Sequence, residues 1–168
     1  GYRGNNVPMH LQTAGLPVPA RANQAQAAAS GELVLRLSNR EFWILGALQN
    51  QGATIDTLHL DDVAQKGDCY PLYCRDSHAC FALTGAERCK IMAKLCGVDL
   101  REDAFGPGAI AQTSVARINA IVVHHTVNNI PIFYLLCDSA AAEYLWDCLL
   151  DAMTEFQGEV IGLAALSA

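Results

Sequence analysis

Phe81-Ala82-Leu83-Thr84-Gly85 decides the reading of this chain. The five residues form a short apolar strand closed by a glycine, and they open a block that echoes the chain's own beginning. From Phe81 the order is strand, glycine, a helix-like run to Cys96, then Gly97-Val98-Asp99-Leu100. A loop and two more strand-like runs follow, at 112–125 and 130–137. The start has the same order: residues 1–4, a helix-like run at 6–14, Gly15-Leu16-Pro17-Val18, a loop, and strand-like runs at 32–37 and 41–45. The pattern predicts an α+β protein of two pseudo-repeated β-α-β-β halves, residues 1–70 and 71–168, packed as one compact body. Each half is expected to be a small antiparallel sheet with helices packed on one face.

The 168 residues suit one compact domain or two small ones. A hydrophobic share of 52% against 17% charged leaves ample core and little charge to cover the surface. Some apolar area is therefore expected to be buried against another subunit. The net charge of −6, with no Lys/Arg run, argues against a nucleic-acid partner. Apolar stretches are broken well short of a membrane span, and no signal peptide is visible. Gly1 falls inside what reads as a strand, so the chain is expected to extend upstream. Seven cysteines without repeated close spacing fit a reduced, cytoplasmic setting better than a disulfide framework. Cys89 and Cys96, seven apart, share one face of a helix.

Local signals place the elements. Asn5 or Asn6 caps the first helix, Pro8 is tolerated in its first turn, and Gly15 with Pro17 ends it. Residues 21–31 read as a loop. Leu33, Leu35 and Leu37 alternate with Val34 and Arg36 as a half-buried strand, and Ser38-Asn39-Arg40 turns the chain back. A short helix is expected at 60–66. Residues 69–73 and 78–83 read as strands about the turn Arg75-Asp76-Ser77. Thr84 and Glu87 have capping-box spacing for the helix that Gly97 stops. The last helix, 139–156, carries Ala142, Leu145, Trp146, Leu149 and Met153 on one face, and 159–163 reads as a final edge strand.

Candidate chemistry is sparse. Gly106-Pro107-Gly108-Ala109-Ile110-Ala111 matches a dinucleotide fingerprint in letters, but a β-rich run follows where the mechanism needs a helix N-terminus, so a loop is expected. Asp76-Ser77-His78 has the letters of a hydrolase triad, yet adjacent side chains on a turn or strand point apart, which predicts no relay. Cys69, Cys74, His78 and Cys80 have no zinc-knuckle or ribbon spacing, so partly buried thiols are expected and no metal. His124 and His125 face opposite sides of a strand, one inward and one exposed. Glu143, Asp147 and Asp151 form an acidic stripe at i, i+4, i+8. With Tyr144 as an aromatic anchor, that stripe is either a solvated face or a surface that meets a basic partner. No catalytic set emerges.

The run Asp76-Ser77-His78-Ala79-Cys80-Phe81-Ala82-Leu83-Thr84-Gly85 resembles the gamma subunit family of heterotetrameric sarcosine oxidase. So do Ala93-Lys94-Leu95-Cys96-Gly97-Val98-Asp99-Leu100, Phe105-Gly106-Pro107-Gly108, Ala111-Gln112-Thr113-Ser114-Val115-Ala116-Arg117 and Asp138-Ser139-Ala140-Ala141-Ala142-Glu143-Tyr144-Leu145-Trp146. The opening, with Gly15-Leu16-Pro17-Val18-Pro19 and Asn23, is similar to the same family's first half. The resemblance covers nearly the whole chain and is most specific over 76–157. It implies a relative of the folate-binding fold of aminomethyltransferases. It also implies a non-catalytic small subunit of a flavoenzyme complex that oxidatively demethylates sarcosine or a similar N-methyl amino acid. In such complexes the larger subunits hold FAD, FMN, NAD and tetrahydrofolate. N-methylglutamate dehydrogenases have a similar small subunit, and the sequence does not separate the two. Asp99 lies roughly where aminomethyltransferases have an Asp that matters for folate chemistry, but Gly97-Val98 replaces the Asn that precedes it there. A stand-alone folate-binding or aminomethyl-transfer protein is the alternative reading.

Overall fold

A computed structural model of the chain describes residues 1–47, 52–60 and 67–166. It divides into two compact units, Gly1–Cys74 and Arg75–Ala168.

In the first unit β1 (Tyr2–Arg3) leads into α1 (Val7–Thr13), followed by β2 (Gln24–Ala27), β3 (Leu33–Arg36), β4 (Glu41–Leu45), α2 (Ala53–Leu60) and β5 (Tyr70–Pro71). The strands form one antiparallel sheet in the order β2-β3-β4-β1-β5. Asn6 is the N-cap of α1, although its side chain makes no capping bond. The chain is held there instead by Asp68, whose carbonyl accepts from Asn6 N at 2.9 Å and whose carboxylate accepts from Asn5 Nδ2 at 2.6 Å. Gly15 takes φ +74, the left-handed closing conformation its position predicts. Val7 and Leu11 of α1 pack with Val34, Phe42, Ile44 and Leu58. Burying each such side chain contributes roughly 1.5–3 kcal/mol.

Residues 21–31 are not a plain loop, because β2 forms there against β3, with Gln24 opposite Arg36. Nor is β3 half-buried: Leu33, Val34 and Leu35 are all inaccessible, so both faces of the strand are covered. The helix expected at 60–66 lies beyond Leu60 outside the described residues, and the helix observed is α2.

The second unit contains β6 (His78–Thr84), α3 (Arg88–Leu95), β7 (Ile110–Val115), β8 (Ile118–Val127), β9 (Ile130–Asp138), a 3-10 turn (Ser139–Ala141), α4 (Ala142–Thr154) and a closing 3-10 turn (Leu163–Leu166). Its sheet is antiparallel in the order β6-β9-β8-β7. α3 and α4 lie on one face, where Ile91, Met92, Leu145 and Leu149 join Val122, Phe133 and Leu135.

Four expectations are corrected here. The run 112–125 breaks into β7 and β8 at Ala116-Arg117, which take φ +48 and +69, so a third strand follows the helix in this unit as in the first. The strand expected at 69–73 is cut to Tyr70–Pro71, which pairs with β1, while β6 pairs with β9. The capping box does not form. Gly85 takes φ +101 and delays the helix until Glu87 is its N-cap, while Thr84 Oγ1 donates to Pro131 O at 3.0 Å. Residues 159–163 form no strand, and Val160 and Ile161 are exposed. The two sheets trace the same strand path, β1-β4-β3-β2 and β6-β9-β8-β7, with β5 added outside β1.

Candidate functional site

The acidic stripe expected at a partner surface lies on α4. Asp138 Oδ1 accepts from Ala140 N at 2.8 Å, which caps the turn leading into the helix. Leu145, Leu149 and Ala152 are buried beneath it. At its C-terminal end Lys94 Nζ donates to Ala152 O at 3.2 Å and pairs with Glu155 at 3.0 Å, placing a cation where the helix dipole favours one. The opposite face presents Glu143, Tyr144, Asp147 and Asp151, all exposed. The Tyr144 hydroxyl is hydrogen-bonded with Cys148, which pushes its pKa up. Trp146 remains 37% exposed and rests on Phe81 of β6, ring centroids 5.6 Å apart. The four residues expected at a partner surface thus lie together on one accessible helix face.

Asp99 sits elsewhere, in the exposed loop after α3. Its Oδ1 accepts from Arg101 N at 3.2 Å and Nε at 2.9 Å, and its Oδ2 accepts from Nη2 at 2.5 Å. These bonds from Arg101 draw its pKa down to about 2.

Ser77 and His78 overturn the expectation that neighbours on the turn point apart, since Ser77 Oγ lies 2.7 Å from His78 Nδ1. The turn rotates Ser77 back toward the strand, and Ser139 donates N–H to its carbonyl at 2.9 Å. Asp76 offers its backbone carbonyl to Ser139 Oγ at 3.1 Å. His78 also borders an open cavity of about 300 Å³, with Gln112, Thr113 and Asn119 as polar neighbours and Ile121 and Leu136 as apolar ones. The volume is at the small end of ligand pockets.

The four residues weighed as metal ligands are split between the units: Cys69 and Cys74 belong to the first, His78 and Cys80 to β6 in the second. Among the described residues no three metal-binding side chains converge. Burial pushes the thiols of Cys69, Cys89 and Cys137 up, which keeps them protonated. His124 is buried and donates Nδ1–H to Phe105 O at 2.6 Å, as the inward member of its pair. His125 is half-buried beside Tyr134, and that burial lowers its pKa.

Sequence reasoning missed two buried charged groups. Glu32 accepts from Ser30 Oγ. Arg88, 4% exposed, lies over the Phe133 ring, donates Nη1 to Gly85 O at 3.1 Å and pairs with Glu102. Their spacing among polar neighbours is that of ordinary surface charges, so nothing local marked them as buried.

Among curated proteins none matches. The fold is similar to that of a chain in heterotetrameric sarcosine oxidase from Corynebacterium sp. U-96, solved in complex with pyrrole 2-carboxylate. The TM-score is 0.77 at 23% identity, over 96% of this chain and 81% of that one. At that identity the likeness is one of fold. Residues 24–168 match the GCVT N-terminal domain, and the chain belongs to that family.

Proposed function

We propose that this protein is a non-catalytic, gamma-type small subunit of a multisubunit flavoenzyme complex that oxidatively demethylates sarcosine or a similar N-methyl amino acid. The observation that carries the reading is co-extension: 96% of this chain lies over 81% of one chain of a heterotetrameric sarcosine oxidase. A chain matched along most of its length to one member of such an assembly is suited to the same place in a similar one. The exposed face of Glu143, Tyr144, Asp147 and Asp151 supports it, offering an aromatic anchor beside a stripe of negative charge to a basic partner surface. FAD, FMN, NAD and tetrahydrofolate are assigned to the larger partner subunits, and the working compartment to the cytoplasm. Co-expression with the larger flavin-bearing chains tests this, with co-elution of the chain and flavin absorbance on gel filtration as the expected result. A well-behaved monomer with no affinity for those chains overturns it.

Family membership favours one second reading, a stand-alone folate-binding protein of one-carbon metabolism. Asp99 does not fit that role well: it lies at the open surface, and Arg101 occupies both carboxylate oxygens. Calorimetric titration with tetrahydrofolate separates the readings. Micromolar binding by the isolated chain, lost in Asp99→Ala, supports the second.

A further inference from the structure

We propose that the outer edge of β6 receives an extended segment of a larger partner chain as an additional strand, seated against Trp146. The inference rests on the subunit reading above and names the surface through which it acts. Among the described residues β6 pairs with β9 alone, in unbroken register from His78 opposite Asp138 to Thr84 opposite Ile132. Along such a strand alternate residues turn N–H and C=O away from the existing neighbour. Natural edges carry Lys, Pro, an inward charge or a bulge that discourages pairing. Residues 79–84 are Ala-Cys-Phe-Ala-Leu-Thr, and none of those devices is among them.

The first unit shows what the position beside such a strand accommodates. Its strand path is the same as that of the second, and there β5 lies outside β1, the counterpart of β6, with Tyr2 opposite Pro71 and Arg3 opposite Tyr70. The second unit has no described strand in the matching place.

The surroundings set the chemistry of the incoming segment. Cys80 and Ala82 are exposed on one side of the edge, so small side chains fit over them. On the other side Phe81 and the partly exposed Trp146 form an aromatic step suited to one apolar residue. Glu143 and Asp147, exposed three residues before and one after Trp146, favour a flanking Lys or Arg. The segment is therefore extended, uncharged along the edge, apolar opposite Trp146 and basic beside it. Backbone bonds would supply affinity and the alternating side chains selectivity.

Hydrogen exchange of the β6 amides that face away from β9, in the isolated chain and in the complex with the co-expressed larger chains, provides the test. A Cys80→Lys/Ala82→Lys variant, with its melting compared to wild type, goes alongside. The expected result is protection at β6 in the complex only, with at least tenfold weaker binding by the lysine variant at unchanged melting. Unchanged β6 exchange in a complex that the lysine variant joins normally overturns the β6 site and leaves the subunit reading standing. Protection already present in the isolated chain, and lost in Ile161→Asp, means that the chain's own exposed tail occupies the edge, which also overturns it. If no complex forms, both readings fall.

Discussion

Phe81 and Trp146 join the first strand of the second unit to its last helix, their rings tilted 36° with centroids 5.6 Å apart. Aromatic pairs at this separation contribute about 0.5–1.5 kcal/mol beyond the area they bury. A double-mutant cycle of Phe81→Leu and Trp146→Leu in urea unfolding should therefore return a coupling in that range. A coupling near zero would mean that the two rings add nothing to the burial of Leu145, Leu149 and Ala152 in holding α4.

Arg88 and Glu102 are unequal partners, the guanidinium being 4% exposed and the carboxylate 67%. Glu102→Gln removes a largely solvated charge and should cost about 1 kcal/mol or less. Arg88→Ala also empties the space over Phe133 and removes the side-chain donor to Gly85 O, which keeps only the 3.4 Å bond from the backbone N–H of residue 88. Its expected cost is about 3 kcal/mol, as for other large-to-small changes that empty buried space and lose stem packing. Equal effects in chemical denaturation would contradict the asymmetry of burial.

Where backbone chemistry leaves a mark in the residue types, the fold was legible. Gly15 and Pro17 announced the end of α1, and Ser38-Asn39-Arg40 the β3–β4 turn. The hairpin between β7 and β8 was hidden because Ala116 and Arg117 occupy the left-handed region without the usual Asn or Gly. β2 was hidden because Gln24-Ala25-Gln26-Ala27 has little strand propensity and forms only against β3, where tertiary pairing overrides local preference. The acidic face of α4 was readable from its period. The Ser77–His78 contact and the cavity beside His78 were not, since both depend on strand register that no local pattern encodes.

The same hairpin gives a third prediction. Arg117 is exposed at φ +69, where a side chain costs about 1–2 kcal/mol that glycine does not incur. Arg117→Gly recovers that strain and gives back part of it through the larger entropy of an unfolded glycine. A net gain of roughly 0.5–1 kcal/mol is expected, visible as a melting point raised by a few degrees. A lower melting point would show that the Arg117 side chain makes a stabilising contact larger than the strain.

Gly4 is the opposite case. Its φ is +146, and an added Cβ would lie 2.0 Å from the carbonyl oxygen of Asp68, the residue that also holds the start of α1 and pairs with Arg40 at 2.9 Å. Backbone cannot yield as a flexible side chain can. Gly4→Ala should therefore cost about 3 kcal/mol or more from strain and clash together. Wild-type stability in that variant would mean that the 67–69 segment has another place to go.

Asp99 supplies the pH prediction. Its folded pKa, held at about 2 by the bonds from Arg101, lies below the unfolded carboxylate value of about 4. Between these values the unfolded chain binds more protons, so stability rises with pH across the window. The contribution is complete above about pH 4 and is lost as pH falls through about 2. Asp99→Asn should flatten the acid limb of the stability profile there and lower the plateau above about pH 4 by the contribution that the Asp99 carboxylate makes. Carboxyl-carbon NMR follows the same residue directly. With Arg101 occupying both oxygens, its titration should not move when tetrahydrofolate is added to the isolated chain. A displaced midpoint would return Asp99 to a ligand-binding role and favour the folate reading over the subunit one.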